Sequence, residues 1–348
     1  MPLLTYQQVL DKLGVTSDAN FDPRGENRIS LLLGNGFSIA CDPCFRYESL
    51  YKEAESEFSN NVKSVFDRLG TSNFEGVLRL LDDGDWLAGQ YDLKTEFNQH
   101  VIQQDLESVK TGLINAIGKT HPADKFKILD EKKSACVEFF KPYHSIFTTN
   151  YDLLPYWVTM HEFGTNGLHF KDCFRQGGSA GSELDYVVFV DQLEYDQGLF
   201  FLHGALHLYV VDGEVRKRRR TDSRQEPLIT CIKEGLNRGE YPLFVAEGSH
   251  KRKLEQIRRS GYLSNCLRRL ELANGVLITC GMSFGDTDKH IIDVLEKSRT
   301  IQNVYVGLYG DPENQANHLT KANLANVRSR VTYFDVSTCN IWGEPNPS

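Results

Sequence analysis

The sequence predicts an α/β fold built on a parallel sheet, with a large helical insertion. Short apolar runs with the composition of buried strands alternate with amphipathic segments of helical period, an order typical of parallel strand–helix–strand units. Several of these runs end in glycine or in polar side chains. Because ligands of open α/β sheets bind at the carboxyl ends of the strands, those residues are the candidates for a site.

Composition limits the classes of protein to consider. With 348 residues, 40% of them apolar, the chain can bury one large domain over residues 1–348, with a division into two domains as the alternative. The net charge of −8 argues against a nucleic-acid binder, because phosphate backbones are bound by clustered Lys and Arg.

No apolar run is long enough to cross a membrane and no signal peptide is recognisable, so we expect a cytoplasmic protein. The eight scattered cysteines predict free thiols.

The first strong element is the strand Ile29–Leu33, which leads into a turn with glycines at 34 and 36 and then into a helix. Two glycines spaced by one residue let a backbone approach a phosphate, which is typical of nucleotide sites. The third glycine of a dinucleotide fingerprint would fall at Ile39, so an ordinary strand-to-helix turn is the alternative. Asp42-Pro43 ends the helix and places Phe45 and Arg46 in a loop near the turn.

Residues 47–143 form the predicted insertion, whose Leu and Val recur at helical spacing. Its helices are expected at Ser49–Phe58, Val62–Leu69, Phe74–Leu81 and Asp92–Ile117. It carries no recognisable catalytic constellation, so it is expected to act as a cap or to make oligomer contacts.

The next strand is Ser145–Thr148, and Thr149, Asn150 and Asp152 follow where it ends. This position predicts a ligand contact, with capping of the helix Leu153–Glu162 by Asp152 as an equal alternative. A further strand ends at His203-Gly204, and a histidine there suits proton transfer near neutral pH.

Asp212-Gly213 predicts the turn of a hairpin over residues 205–224. Its second arm carries the basic run Arg216–Arg220, which is expected to be a solvated edge strand, with an acidic or nucleic-acid partner as the alternative. The basic segment Ser249–Lys253 is likewise expected to be a solvated helix face, with a contact to phosphate as the alternative.

The strand Val276–Cys280 ends in Gly281-Met282-Ser283 and is followed by Asp286, Asp288 and His290. The last three could suggest a metal by composition, but alternate residues at a helix start point in different directions. Capping by Asp286 is the simpler interpretation, and no metal is expected. Strands Val304–Leu308 and Val331–Val336 complete the sheet.

An ordered set of motifs resembles the sirtuins, in particular the bacterial NAD-hydrolysing proteins of anti-phage defence. The glycine turn is similar to their Gly-Ala-Gly-x-Ser, Phe45-Arg46 to the Phe-Arg of their cofactor loop, Thr149-Asn150-Tyr151-Asp152 to Gln-Asn-Ile-Asp, His203-Gly204 to the catalytic His-Gly, and Gly281-Met282-Ser283 to Gly-Thr-Ser. The four-cysteine zinc module of sirtuin deacylases has no counterpart here.

The resemblance implies a Rossmann-like sheet and an NAD glycohydrolase. It assigns catalysis to Asn150 and His203, and NAD contacts to Gly34, Gly36, Ser38, Phe45, Arg46, Thr149, Asp152, Gly281, Ser283 and Asp286. A non-catalytic sensor of NAD or ADP-ribose is the alternative, followed by a deacylase or an ADP-ribosyltransferase. Control by assembly into a homo-oligomer or by a partner such as a HerA-type ATPase is also implied.

Overall fold

The computed structural model of the chain describes residues 3–15, 28–93, 96–122, 128–162, 164–175, 186–191, 197–218, 227–246 and 248–343. The strands in this part are β1 (Leu4–Thr5), β2 (Ile29–Leu33), β3 (Ser145–Thr148), β4 (Phe170–Lys171), β5 (Phe174–Arg175), β6 (Tyr186–Phe189), β7 (Gln197–Phe201), β8 (Leu208–Val211), β9 (Glu214–Arg218), β10 (Gly275–Cys280), β11 (Ile301–Leu308) and β12 (Arg330–Asp335).

The helices of the described residues lie between these strands. They are α1 (Tyr6–Lys12), α2 (Asn35–Cys41), α3 (Tyr47–Ala54), α4 (Asn60–Leu69), α5 (Phe74–Gln90), α6 (Glu96–Thr120), α7 (Asp130–Phe140), α8 (Leu154–Thr159), α9 (Leu228–Asn237), α10 (His250–Arg259), α11 (Gly261–Glu271), α12 (Lys289–Lys297) and α13 (Gln315–Asn323). None of the helices in these ranges combines the length and the apolar character needed to cross a bilayer.

The main sheet has eight strands in the spatial order β1-β12-β11-β10-β2-β3-β7-β4, and every neighbouring pair is parallel. After the short edge strand β1, the chain forms the central strand β2 and moves outward through β3 and β7. It then returns to the other side of β2 with β10, β11 and β12. The six central strands therefore have the order 3-2-1-4-5-6 of the Rossmann fold. The predicted Rossmann-like α/β fold is confirmed, and its switch point lies between β2 and β10.

The central strands are buried on both faces, which explains why their sequences are mainly apolar. All residues of β2, β3 and β7 are buried. Parallel strands need such cover because each crossover places a helix on one face of the sheet. The strand ends, by contrast, carry polar residues that have no packing role in the core. All eight cysteines are free thiols, as predicted.

The insertion between β2 and β3 is helical and comprises α3 to α7. Helices α3 and α5 pack on α6, and an aromatic cluster of Tyr51, Phe58, Phe66 and Phe74 joins them. The helix predicted to end at Leu81 corresponds to α5, which continues to Gln90. The acidic residues after Leu81 stay helical because they are held from outside the helix: Arg252 pairs with Asp82, and Gln103 donates to Asp85.

The prediction of a solvated basic edge strand is wrong. Strand β9 lies inside a four-stranded antiparallel sheet of order β5-β6-β9-β8, in which Arg216 and Arg218 are buried and Lys217 is half-buried. Lys217 pairs with Asp172 at 2.5 Å, and Arg218 lies over the rings of Tyr186 and Tyr209. These contacts replace the hydration that the cations lose on burial. The predicted turn at residues 212–213 is confirmed. Residues 219–224 of the predicted hairpin lie outside the described residues.

Candidate active site

A cavity of about 270 Å³ lies at the carboxyl ends of the central strands. Eight of the residues singled out from the sequence line it, coming from the ends of β3, β7 and β10 and from the loop after α2. They are Phe45, Thr149, Asn150, Asp152, His203, Gly281, Ser283 and Asp286. Because β10, β2, β3 and β7 are adjacent parallel strands, their ends bring segments that are distant in sequence to one place.

Four of the singled-out residues do not line this cavity. Arg46 is exposed, and Gly34, Gly36 and Ser38 lie behind the wall. The two glycines allow their own backbone to lie close to the backbone of Gly281 at the switch point. A Cβ on Gly34 would lie 2.4 Å from the oxygen of Gly281, and one on Gly36 would lie 2.6 Å from the Cα of Gly281. The glycine turn therefore packs the end of β2 against the end of β10, where the sequence suggested a phosphate contact.

Ser38 positions the two polar residues that follow β3. Asn150 Nδ2 donates to Ser38 Oγ at 2.8 Å and to the carbonyl oxygen of Gly34 at 3.0 Å. The Ser38 hydroxyl in turn donates to Asp152 Oδ2 at 2.5 Å. These bonds fix the orientation of the Asn150 amide. Its N–H groups are used internally, so Oδ1 is the atom of this amide that can accept a hydrogen bond from a ligand.

Asp152 also performs the alternative role that its sequence position suggested. Its Oδ1 accepts from the backbone N–H of Leu154 at 2.9 Å, at the start of α8. The carboxyl is buried, and burial raises its pKa from 3.8 to about 6, although the bonds from Ser38 and Leu154 oppose that rise. Asp152 thus holds the helix start and the Ser38 hydroxyl together.

The raised pKa of Asp152 predicts a pH-dependent cost to stability. The folded state binds this proton more tightly than the unfolded chain, so the contribution of Asp152 is fully present below about pH 4 and is lost as the pH rises through about 6. We expect the unfolding free energy of wild type, relative to Asp152→Asn, to be higher at pH 4 than at pH 7 by up to about 3 kcal/mol. Denaturant titrations at the two pH values measure the unfolding free energies. A difference between wild type and Asp152→Asn that stays constant with pH contradicts the prediction. The exposed Asp67→Asn is the control.

The backbone around His203 is held by the segment that follows residue 242. Val245 N donates to the carbonyl of His203 at 2.9 Å, and Ala205 N donates to the carbonyl of Leu243 at 3.0 Å. Gly204 has φ +86, and a Cβ there would lie 2.0 Å from the oxygen of Leu243. Only glycine fits this turn, which explains the His-Gly pair of the sequence.

The imidazole of His203 contacts a second imidazole. Its Nε2 lies 2.9 Å from Nε2 of His290, and both side chains are buried. Burial, followed by the Lys253 charge, lowers the pKa of His203 well below its usual value and that of His290 to about 3. Both rings are therefore neutral at physiological pH. One donates to the other, and His203 keeps the neutral form that a proton acceptor needs.

Lys253 is a fully buried cation beside this pair. Its Nζ lies 3.0 Å from Glu75 Oε1 and 3.7 Å from Asp288 Oδ1. The prediction of a solvated basic face on α10 is therefore wrong for this residue. Glu75 belongs to the first turn of α5, so the ion pair ties the helical insertion to the strand-end site. A buried charge needs such partners because desolvation alone would be prohibitive.

Helix α5 supplies one wall of the cavity, through Asn73, Glu75, Gly76 and Arg79. Arg79 Nη1 pairs with Asp286 Oδ2 at 3.0 Å across the cavity rim. Asp286 was predicted to cap a helix, but its side chain makes no capping bond and the following α12 begins only at Lys289. The helical insertion therefore contributes directly to the wall of the cavity.

Asp288 and His290 both lie beside His203, although the sequence predicted that their side chains point in different directions. The argument that alternate residues diverge holds inside a regular helix. Here a 3-10 turn over Asp286–Asp288 precedes α12, so the two side chains straddle a junction. The ligand atoms of His203, Asp288 and His290 all lie within 4.8 Å of one another. The Asp-x-His spacing after a strand end was the available signal. Lys253 gave none, because a basic run is usually solvated.

A comparison with protein families matches residues 31–342 to a family described as a domain of unknown function, DUF4917. The match runs from β2 to beyond β12 and includes every strand end that forms the cavity. The chain belongs to the DUF4917 family. The family description names no activity or ligand. No curated protein matches the chain.

Proposed function

We propose that this DUF4917 protein is an NAD glycohydrolase, which cleaves NAD to nicotinamide and ADP-ribose. The supporting observation is that Asn150 and His203 line one cavity at the carboxyl ends of adjacent strands, next to the switch point of a 3-2-1-4-5-6 sheet. That switch point is where dinucleotides bind in folds of this type. The resemblance of the ordered motifs to NAD-hydrolysing sirtuin-like proteins supports the same substrate.

The reaction breaks the bond between nicotinamide and the ribose anomeric carbon. Nicotinamide leaves as a neutral molecule with the bonding electron pair, a water oxygen bonds to the anomeric carbon, and one water proton is released. The transition state resembles an oxocarbenium ion, so groups that stabilise positive charge on the ribose accelerate it. Neutral His203 accepts a hydrogen bond from a ribose hydroxyl, and Asn150 Oδ1 accepts one from the attacking water. Asp152 accepts from the nicotinamide carboxamide through its remaining lone pairs.

The cavity volume suggests which part of the substrate is enclosed. At about 270 Å³ it is slightly smaller than typical small-molecule sites, which start at roughly 300 Å³. It accommodates the nicotinamide riboside end, and the rest of NAD extends past Ser283 and Asp286 at the rim. Helix α5 forms one wall of this cavity, so a second copy or a partner that contacts α5 could control access to it. Trp86 and Tyr91 of this region are 61% and 70% exposed and offer apolar contacts.

Product analysis tests the proposed function. The purified chain is incubated with NAD at a series of increasing protein concentrations. Nicotinamide and ADP-ribose are then measured by chromatography. The proposal expects the two products in equal amounts. Tight binding of NAD without product at any concentration would instead favour a sensor, and turnover only in the presence of acetyl-lysine peptide would favour a deacylase.

A further inference from the structure

The geometry points to a binding site for a divalent transition-metal ion formed by His203, Asp288 and His290. Binding of the ion occupies the imidazole that we assign to the ribose hydroxyl, so the metal inhibits NAD hydrolysis. The existence of the site follows from these three side chains alone. Its inhibitory effect rests in addition on the proposed function.

The spacing of the nitrogens fits a chelate. Two nitrogens about 2.1 Å from one ion and about 90° apart lie about 3.0 Å from each other. The Nε2 atoms of His203 and His290 are 2.9 Å apart. A carboxylate oxygen of Asp288 lies within 4.8 Å of both nitrogens and closes the triangle by rotation of its side chain. Two histidines and one carboxylate on a single face leave the remaining coordination positions open to water.

The charges around the three ligands also favour a cation. Binding requires that the ring which donates the hydrogen bond shifts its proton to Nδ1, and that both Nε2 lone pairs turn toward the ion. Asp288 and Glu75, when ionised, carry two negative charges against the single ammonium of Lys253. Lys253 opposes a second cation near Asp288, but its closer partner is Glu75, which remains paired with it when Asp288 turns to the metal.

The open side of the site faces the substrate cavity. His203 and Asp288 line that cavity, whereas His290 lies behind them. The free coordination positions of an ion bound here would face the cavity. The ion would also hold the His203 ring through Nε2, the nitrogen that faces His290. Either contact prevents the ring from reorienting toward a ribose hydroxyl. Zn²⁺, Co²⁺ and Ni²⁺ are among the divalent ions that such a set of nitrogen and oxygen ligands accepts.

Metal titration of the tag-free, chelator-treated full chain tests the site. We expect one Co²⁺ per chain, seen as a d–d absorption band, and one Zn²⁺ by calorimetry. His290→Ala should weaken both by at least about tenfold, and Asp288→Asn should weaken them less. The matched control is His318→Ala, an exposed histidine 3.2 Å from Glu313, which should leave the titration unchanged. No saturable binding, or binding that His290→Ala leaves intact, overturns the site.

The activity measurement is separate from the binding measurement. Nicotinamide release is compared with and without one equivalent of Zn²⁺, each variant being referred to its own metal-free rate. We expect inhibition of at least about tenfold in wild type and in His318→Ala, and little in His290→Ala. Metal binding without any NAD turnover leaves the site standing and contradicts the proposed function. Binding at this site that activates turnover or leaves it unchanged overturns the inhibitory effect.

Discussion

Replacing His203 by alanine is expected to lower the rate of nicotinamide release by roughly 100- to 10,000-fold, the usual contribution of a general acid or base. The side chain is buried, neutral and part of the cavity wall, so its loss removes the acceptor for the ribose hydroxyl. Asn150→Ala should lower the rate comparably by removing the oxygen that positions water. The rate is measured as chromatographic nicotinamide release under saturating NAD.

Two controls separate lost chemistry from lost folding. His318→Ala changes an exposed histidine far along the chain and should retain the wild-type rate. The His203 and Asn150 variants should keep the wild-type circular dichroism spectrum and still bind ADP-ribose. A folded His203→Ala protein that hydrolyses NAD within about twofold of wild type would remove this residue from the mechanism.

The second large effect is on stability. Lys253→Met should lower the unfolding free energy by about 3–5 kcal/mol, because it leaves the half-buried carboxylates of Glu75 and Asp288 without their fully buried cation. The matched control is Lys119→Met. Lys119 pairs with Glu57 at 2.8 Å, but both side chains are well exposed, so its loss should cost about 0–1 kcal/mol. Denaturant titration at neutral pH measures both.

A double variant identifies the cause of the loss. Glu75→Gln combined with Lys253→Met removes one of the stranded charges, so it should recover part of the stability lost in the single variant. Equal losses for Lys253→Met and Lys119→Met, or no recovery in the double variant, would mean that the buried ion pair does not hold α5 on the sheet.

The parallel sheet and the positions of its strand ends could be predicted from the sequence because their signals are local. Unbroken apolar runs mark buried strands, and the change to glycine, asparagine or histidine marks where each run ends. The adjacency of residues 150 and 203 followed from parallel pairing, which brings equivalent strand ends together. The motifs therefore located eight of the residues that line the cavity without any knowledge of tertiary contacts.

The rest depended on tertiary contacts that leave no local signal. The α5 wall, the burial of Lys253 and the interior position of β9 all arise from pairing between segments far apart in sequence. Glu75 and Lys253, for example, are 178 residues apart. A basic run looks solvated until aromatic rings and carboxylates from other segments are known to cover it, as happens to Arg218. The role of the glycine turn was similarly hidden, because its close neighbour is the backbone of Gly281.

A crystal structure of the chain with ADP-ribose tests the central claim most directly. We predict that the terminal ribose occupies the cavity, with a ring hydroxyl within hydrogen-bonding distance of His203 and the anomeric carbon facing Asn150 Oδ1, and with the diphosphate leaving past Ser283. A ligand bound elsewhere, or one in the cavity with the adenine next to Asn150 and His203, would contradict the assignment.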